Sequence, residues 1–126
     1  MISLEESVKG MLSAQENLRT SQAKQIPAYL SEQNYRLAQF TASVDYHLAL
    51  LEEEYEIEEA KILKESIRDK KMSATTAEKE VKIELGQLEG QIKYLGRITK
   101  AAWSQHMGNL ARFNHLTQEM KGAIWH

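Results

Sequence analysis

The fold is decided by the stretch TTAEKEVKIELGQLEGQIKYLGRITKAAWSQHMGNLARFNHLTQEM, residues 75–120. Its apolar side chains return at alternating intervals of four and three residues, which is the spacing of a heptad seam on one helix face. The members are Val81, Leu85, Leu88, Ile92, Leu95, Ala102, Phe113, Leu116 and Met120, with Thr99, His106 and Asn109 as polar residues on the same register. Thr75, with Glu78 three residues later, has the pattern of a helix cap. The stretch predicts one helix over about residues 76–122, roughly 65 Å long, whose seam needs partner helices.

Two further helices are predicted upstream of this stretch. Ser3 and Glu6 form a capping pattern at the start of an amphipathic helix over about residues 3–21. Pro27 fits the first turn of a second long helix over about residues 27–69, because its missing N–H costs nothing there. A short polar connection makes the two long helices antiparallel neighbours. We therefore expect a single all-α domain over residues 1–126, a long antiparallel helical hairpin with a short N-terminal helix, oligomerising through coiled-coil-like seams.

The long seam also predicts an interface between copies of the chain. One hairpin partner and a short helix are too little to cover it, and exposed apolar stripes of that size usually mark an interface. We expect a homo-oligomer whose interface includes Leu110, Phe113, Leu116 and Trp125.

Composition limits the location and the class of the protein. The chain has no cysteine, which excludes disulfides and thiolate metal sites. No apolar stretch approaches the roughly 18 residues that span a bilayer. Glu5 and Glu6 stand where a signal peptide would be positively charged. These features favour a cytoplasmic protein that does not enter a membrane.

The net charge of −2 hides an uneven distribution along the chain. Residues 45–59 carry seven acidic side chains and no basic one, whereas residues 61–100 carry ten basic and six acidic side chains. Blocks of this kind can form separate acidic and basic surfaces, so the total charge is no argument against an anionic partner.

The acidic block is the first candidate for chemistry. Its glutamates are Glu52, Glu53, Glu54, Glu56, Glu58 and Glu59. Glu52, Glu53 and Glu56 match the first half of the Mg²⁺-binding motif of MazG-type nucleotide pyrophosphatases, but the second half, a later Glu-x-x-Asp, is missing. Hard cations need oxygen ligands from more than one segment. A solvated helix face, or a surface complementary to a basic protein, is the competing interpretation.

The remaining motifs argue against an enzyme. None of the four histidines has Glu three residues before it, as a di-iron helical bundle requires. His47 and His106 lie on or beside the apolar stripes, as core or interface histidines do. We find no catalytic triad, phosphate loop or metal-binding spacing, and we expect no cofactor.

Basic residues cluster around the hairpin turn and along the start of the last helix. They are Lys61, Lys64, Arg68, Lys70, Lys71, Lys79, Lys82, Lys93, Arg97 and Lys100. Lys61, Lys64 and Arg68 share one helix face by their spacing. Gly86 and Gly90 each cost a helix roughly 1 kcal/mol relative to alanine, which suggests that a phosphate chain or another helix approaches the backbone there. Few aromatic side chains lie nearby, so contact with a nucleic-acid backbone is favoured over base readout.

The order of these features resembles the UvsY-type recombination mediators of bacteriophages. The resemblance covers roughly residues 35–120: the basic stretch KILKESIR (61–68), a polar linker (69–74), the helix start SATTAEKEV (73–81), then Trp103 and the pair Arg112 and Phe113. It implies a homo-oligomeric ring in the host cytoplasm that binds single-stranded DNA and helps a RecA-like recombinase displace single-strand-binding protein. The linker is shorter than in the family, the aromatic pair after the basic stretch is absent, and residues 52–59 are more acidic.

Two functions of different classes follow from the sequence. The basic stripe favours a non-enzymatic mediator that holds single-stranded DNA near residues 61–82. The acidic block favours a phage-encoded inhibitor that mimics nucleic acid and blocks a host nuclease or defence complex. A MazG-like pyrophosphatase is a remote third hypothesis.

Overall fold

A computed structural model describes residues 2–125 of the chain, with individual side chains described through residue 122. Its elements are α1 (Leu4–Asn17), α2 (Ser21–Gln25), α3 (Pro27–Lys64), a π-helical turn (Glu65–Asp69) and α4 (Ala74–Trp125). The predicted all-α class and the antiparallel hairpin of two long helices are confirmed. Before Pro27 the structure has a further short helix that the sequence did not predict, α2, which buries Ala23. In the described part of the chain, no helix is both long and apolar enough to cross a membrane.

The helix starts follow local capping chemistry. The Ser3 hydroxyl accepts a hydrogen bond from the backbone N–H of Glu6 at 3.1 Å, as its position predicts. Pro27 is the first residue of α3. The predicted cap at Thr75 is wrong by two residues, because the Ser73 hydroxyl accepts from the backbone N–H of Thr76 at 3.2 Å and so begins α4 earlier.

The end of α3 widens into the π-helical turn. The backbone N–H of Lys70 donates to the carbonyl of Glu65 at 3.1 Å, and that of Met72 donates to Ser66 at 2.9 Å. In this turn Ser66 is buried, whereas the side chain of the neighbouring Ile67 is 46% exposed. Lys71 then reverses the chain with φ of 53°, a left-handed conformation that is uncommon outside glycine.

The helices form two compact units, and α3 and α4 contribute to both. The first unit comprises residues 2–45 and 98–125. Its buried apolar side chains are Met11, Ala14, Leu18, Ala23, Leu30, Leu37, Val44 and Ala102. α1 is fixed to α3 by a 2.6 Å hydrogen bond between the hydroxyls of Ser7 and Ser43, and by Phe40, whose ring occupies the space above Gly10.

A layer of polar side chains crosses the core of this first unit. The Asn34 side-chain amide donates to the backbone carbonyl of His106 at 3.1 Å, and the Asn109 amide donates to Asn34 Oδ1 at 3.2 Å. His106 Nδ1 lies 3.3 Å from the Asn34 carbonyl oxygen. Nearby, the Trp103 indole N–H donates to an Asp45 carboxylate oxygen at 2.7 Å. Because a polar group buried in a seam is satisfied in only one alignment, this layer fixes the register of α3 against α4.

The second unit, residues 46–97, is a pair of helices without a third layer among the described residues. Its buried apolar side chains are Ile62, Ala77, Val81 and Leu95. Leu85, Leu88 and Ile92 are only half-buried, so the predicted seam is present but thinly covered here.

Candidate functional site

Three predicted DNA contacts lie together at the end of α3. Lys61, Lys64 and Arg68 line one surface depression of about 360 Å³, with Glu65 and Asp69 on its wall. Spacings of three and four residues place the cations on one face, and the π-helical turn carries that face on to Arg68. We call this depression the basic tip.

The charge balance at the basic tip is positive. Residues 61–71 carry five cations and two carboxylates, and Lys70 and Lys71 are exposed beside the three cations of the depression. Lys61 pairs with Glu58 at 3.8 Å, and the side chains are 66% and 42% exposed, respectively. An exposed pair of this kind contributes little, so the Lys61 ammonium is available to another anion.

The other predicted cations are exposed, but the structure does not gather them at the basic tip. Lys82 lies with Glu59 and Glu78 around a neighbouring depression beside Tyr55, which puts carboxylates next to it. Lys93 pairs with Glu89 at 3.0 Å on α4. The remaining members are Lys79 and Arg97 in the second unit and Lys100 in the first.

The acidic block is mostly solvent-exposed. Glu52, Glu53, Glu54 and Glu56 are exposed, whereas Glu58 and Glu59 are half-buried. Among the described residues, no group of three or more His, Cys, Asp or Glu side chains is placed to hold a metal ion.

Tyr55 is a site residue that sequence reasoning left aside. It is half-buried on the α3 seam, and α4 brings Glu89 and Lys93 to the same groove. Burial raises the pKa of the Tyr55 phenol above 10.0, and the carboxylates of Glu89 and Glu59 raise it further. Its seam position was readable from the sequence, but the carboxylates of the facing helix were not.

The predicted interface residues lie around a groove in the first unit. Leu110 and Phe113 of α4, with Leu30 and Tyr35 of α3, line an apolar cavity of about 300 Å³. Leu116 is half-buried one turn further along. The side chain of Trp125, the fourth predicted member, lies outside the described residues.

Comparison of the chain with models of known protein families, with curated proteins and with solved structures finds no match.

Proposed function

We propose that the protein is a non-enzymatic accessory protein that binds the backbone of single-stranded DNA at the basic tip. The observation that supports this most is the grouping of Lys61, Lys64 and Arg68 in one depression with two further exposed cations beside it. Phosphates are bound by such cations with release of counterions, which supplies affinity without sequence information.

The spacing of the three cations suits a single anionic strand. Lys61 and Arg68 are seven residues apart, which is roughly 10 Å along a helix axis. This is about one Debye length at 0.1 M salt, so the three charges act together on a nearby phosphate chain. Arg68 adds a planar fork that can bond two phosphate oxygens at once.

The aromatic side chains near the basic tip favour backbone contact over base stacking. Tyr55 lies half-buried among carboxylates, which repel phosphates. Tyr94 is exposed, but it lies on α4 about five and a half turns beyond the start of that helix at Ala74. Binding is therefore expected to be tolerant of sequence.

The proposed role is that of a recombination mediator. A homo-oligomer assembled through the groove of Leu110 and Phe113 would present several basic tips to one strand, and linked sites bind far more tightly than a single site. Such an assembly would hold DNA while a RecA-like recombinase replaces single-strand-binding protein. The resemblance of residues 35–120 to phage mediators motivates this assignment of partners.

One observation favours a second candidate function. Four consecutive or near-consecutive glutamates, Glu52, Glu53, Glu54 and Glu56, are solvent-exposed on α3. An acidic stretch of exposed helix of this kind suits a phage-encoded inhibitor that imitates the charge of nucleic acid and occupies a basic protein surface.

The two functions are separated by a titration of the wild-type protein with a fluorescent oligothymidine over a series of salt concentrations. A subunit that engages three phosphates should give a slope of log K against log salt of about −2, since each single-strand contact carries roughly −0.7. Oligonucleotides of other sequence should bind with similar affinity. Absence of binding at the lowest salt concentration would remove the DNA proposal and leave the acidic inhibitor as the better hypothesis.

A further inference from the structure

The π-helical turn at the end of α3 exposes an apolar side chain beside the basic tip. Ile67 is 46% exposed, whereas its neighbour Ser66 is 1% exposed. The turn is closed by a hydrogen bond from the backbone N–H of Met72 to the carbonyl of Ser66 at 2.9 Å. A small polar residue therefore lies inside the turn, and a large apolar residue lies on its outer surface.

The surroundings of Ile67 are cationic. Arg68 follows it directly, and Lys64 lies three residues before it, which is the spacing of neighbours on a helix surface. Lys70 and Lys71 come three and four residues after it, and all four cations are exposed. A single exposed isoleucine needs no explanation on an ordinary surface, but this one lies next to the groups that we propose as phosphate ligands.

The backbone conformation at this point is uncommon. Single π-helical turns are rare in proteins and occur frequently at functional sites. Within residues 2–125, Glu65–Asp69 is the one π-helical segment, and it includes three of the residues that line the basic tip. The turn thus brings cations and an exposed apolar side chain into one surface.

We infer that Ile67 contacts the bases of the single strand held at the basic tip and so favours single-stranded over double-stranded DNA; the inference rests on the proposed function. Phosphates bound by Lys64 and Arg68 would hold the strand within reach of the Ile67 side chain. The bases of a single strand are unpaired, and covering their faces with an apolar side chain removes surface from water. In a duplex the same faces are stacked inside the helix.

This contact supplies a preference that the phosphate contacts lack. Cations bind the backbone of either form of DNA, and they carry no information about the bases. Isoleucine has no hydrogen-bonding group with which to read a base edge, so the contact is tolerant of sequence. It is also insensitive to salt, because no charge takes part.

An abasic oligonucleotide isolates the contact, since it keeps the phosphate chain and lacks the bases. The wild-type protein should bind oligothymidine about three- to tenfold more tightly than an abasic strand of the same length, as partial burial of one isoleucine side chain predicts. Ile67→Ser should bind the two strands with nearly equal affinity. The salt slope of this variant should equal that of the wild type, because the phosphate contacts are unchanged.

Two further variants separate the contact from effects on folding. Ile67→Phe presents a larger, flat surface to the same bases, so it should bind oligothymidine more tightly than the wild type and the abasic strand equally well. Ile26→Ser is the matched control, because Ile26 is also 46% exposed but belongs to the first unit. This control should keep the wild-type affinity for both strands. Duplex DNA of the same length should bind the wild type and Ile67→Ser alike.

The wild-type protein alone decides whether the proposed function holds. Failure to bind either strand at the lowest salt concentration would remove that function and the base contact with it. Equal binding of oligothymidine and the abasic strand would leave the phosphate-binding function in place and exclude the base contact. A loss in Ile67→Ser that is matched by Ile26→Ser, or that is as large for duplex DNA as for oligothymidine, would also overturn the inference.

Discussion

The hydrogen bonds in the polar layer of the first unit predict that two buried asparagines are coupled in their effect on stability. Asn34 is 3% and Asn109 is 9% exposed, and the Asn109 amide donates to Asn34 Oδ1 at 3.2 Å. Replacing either one by leucine leaves a buried polar group of the other without its partner, which costs about 1–3 kcal/mol of unfolding free energy. Replacing both removes this donor and acceptor together, so the double variant should lose less than the sum of the two single losses. The bond from the Asn34 amide to the His106 carbonyl is still lost in it.

Urea unfolding followed by circular dichroism at 222 nm measures this cycle. A loss of about 2 kcal/mol corresponds to a midpoint lower by about 1 M for a protein of this size. Each single variant should show about that shift, and the double variant should lose less than the two shifts combined, giving a coupling energy of about 1 kcal/mol or more. A double variant whose loss equals the sum of the two single losses would refute the argument that these side chains satisfy each other.

Three further predictions concern packing, titration and assembly. Gly10→Ala should lower the unfolding free energy by about 1–3 kcal/mol in urea melts, because the added methyl overlaps the Phe40 ring. Adding Phe40→Leu to this variant should restore part of the lost unfolding free energy. The phenol of Tyr55 should ionise above pH 10.0 in an ultraviolet titration, and Glu89→Gln should lower the pKa of this phenol. Because the folded-state pKa is raised, the stability that the neutral phenol contributes is present below pH 10.0 and is lost as pH rises through the folded-state pKa. An unchanged pKa in that variant would contradict the assigned cause. Phe113→Ala should weaken self-association roughly thirtyfold, as for loss of about 2 kcal/mol at an interface, and light scattering would show no change if the groove is not an interface.

The long helices and their antiparallel pairing were predictable because apolar periodicity and linker length indicate them. The seam of α4 predicted one helix and a partner for it, and the short polar linker predicted the antiparallel hairpin. The features that the sequence did not predict depend on local backbone geometry, which the spacing of apolar residues does not indicate. Ser73 begins α4 before the predicted cap, and in the π-helical turn Ser66 is buried whereas Ile67 is exposed.

The candidate site was likewise predictable only in part. The grouping of Lys61, Lys64 and Arg68 followed from helix spacing alone, and the structure places all three in one depression. The carboxylates of Glu65 and Asp69 on its wall were not anticipated, although Glu65 is four residues after Lys61 and three before Arg68, a spacing that places it on the same face. The environment of Tyr55 could not be predicted from the sequence, since it is determined by residues of the facing helix.

The central claim is that the basic tip holds single-stranded DNA, and one comparison of salt slopes tests it. The variant Lys61→Ala, Lys64→Ala, Arg68→Ala removes three proposed phosphate contacts, each worth roughly −0.7 in slope, so the slope should flatten by about 2 per bound subunit. Affinity should fall alike for all oligonucleotides. Helicity should hardly change, because alanine is the best helix former and these positions are exposed.

The matched control removes the same number of charges elsewhere. Lys9, Arg19 and Lys24 are exposed in the first unit, and their replacement by alanine alters the net charge equally. This control should keep the wild-type salt slope of binding to oligothymidine, whereas the slope of the tip variant should be flatter by about 2. A tip variant with unaltered affinity and salt dependence, or a control that loses as much, would contradict it.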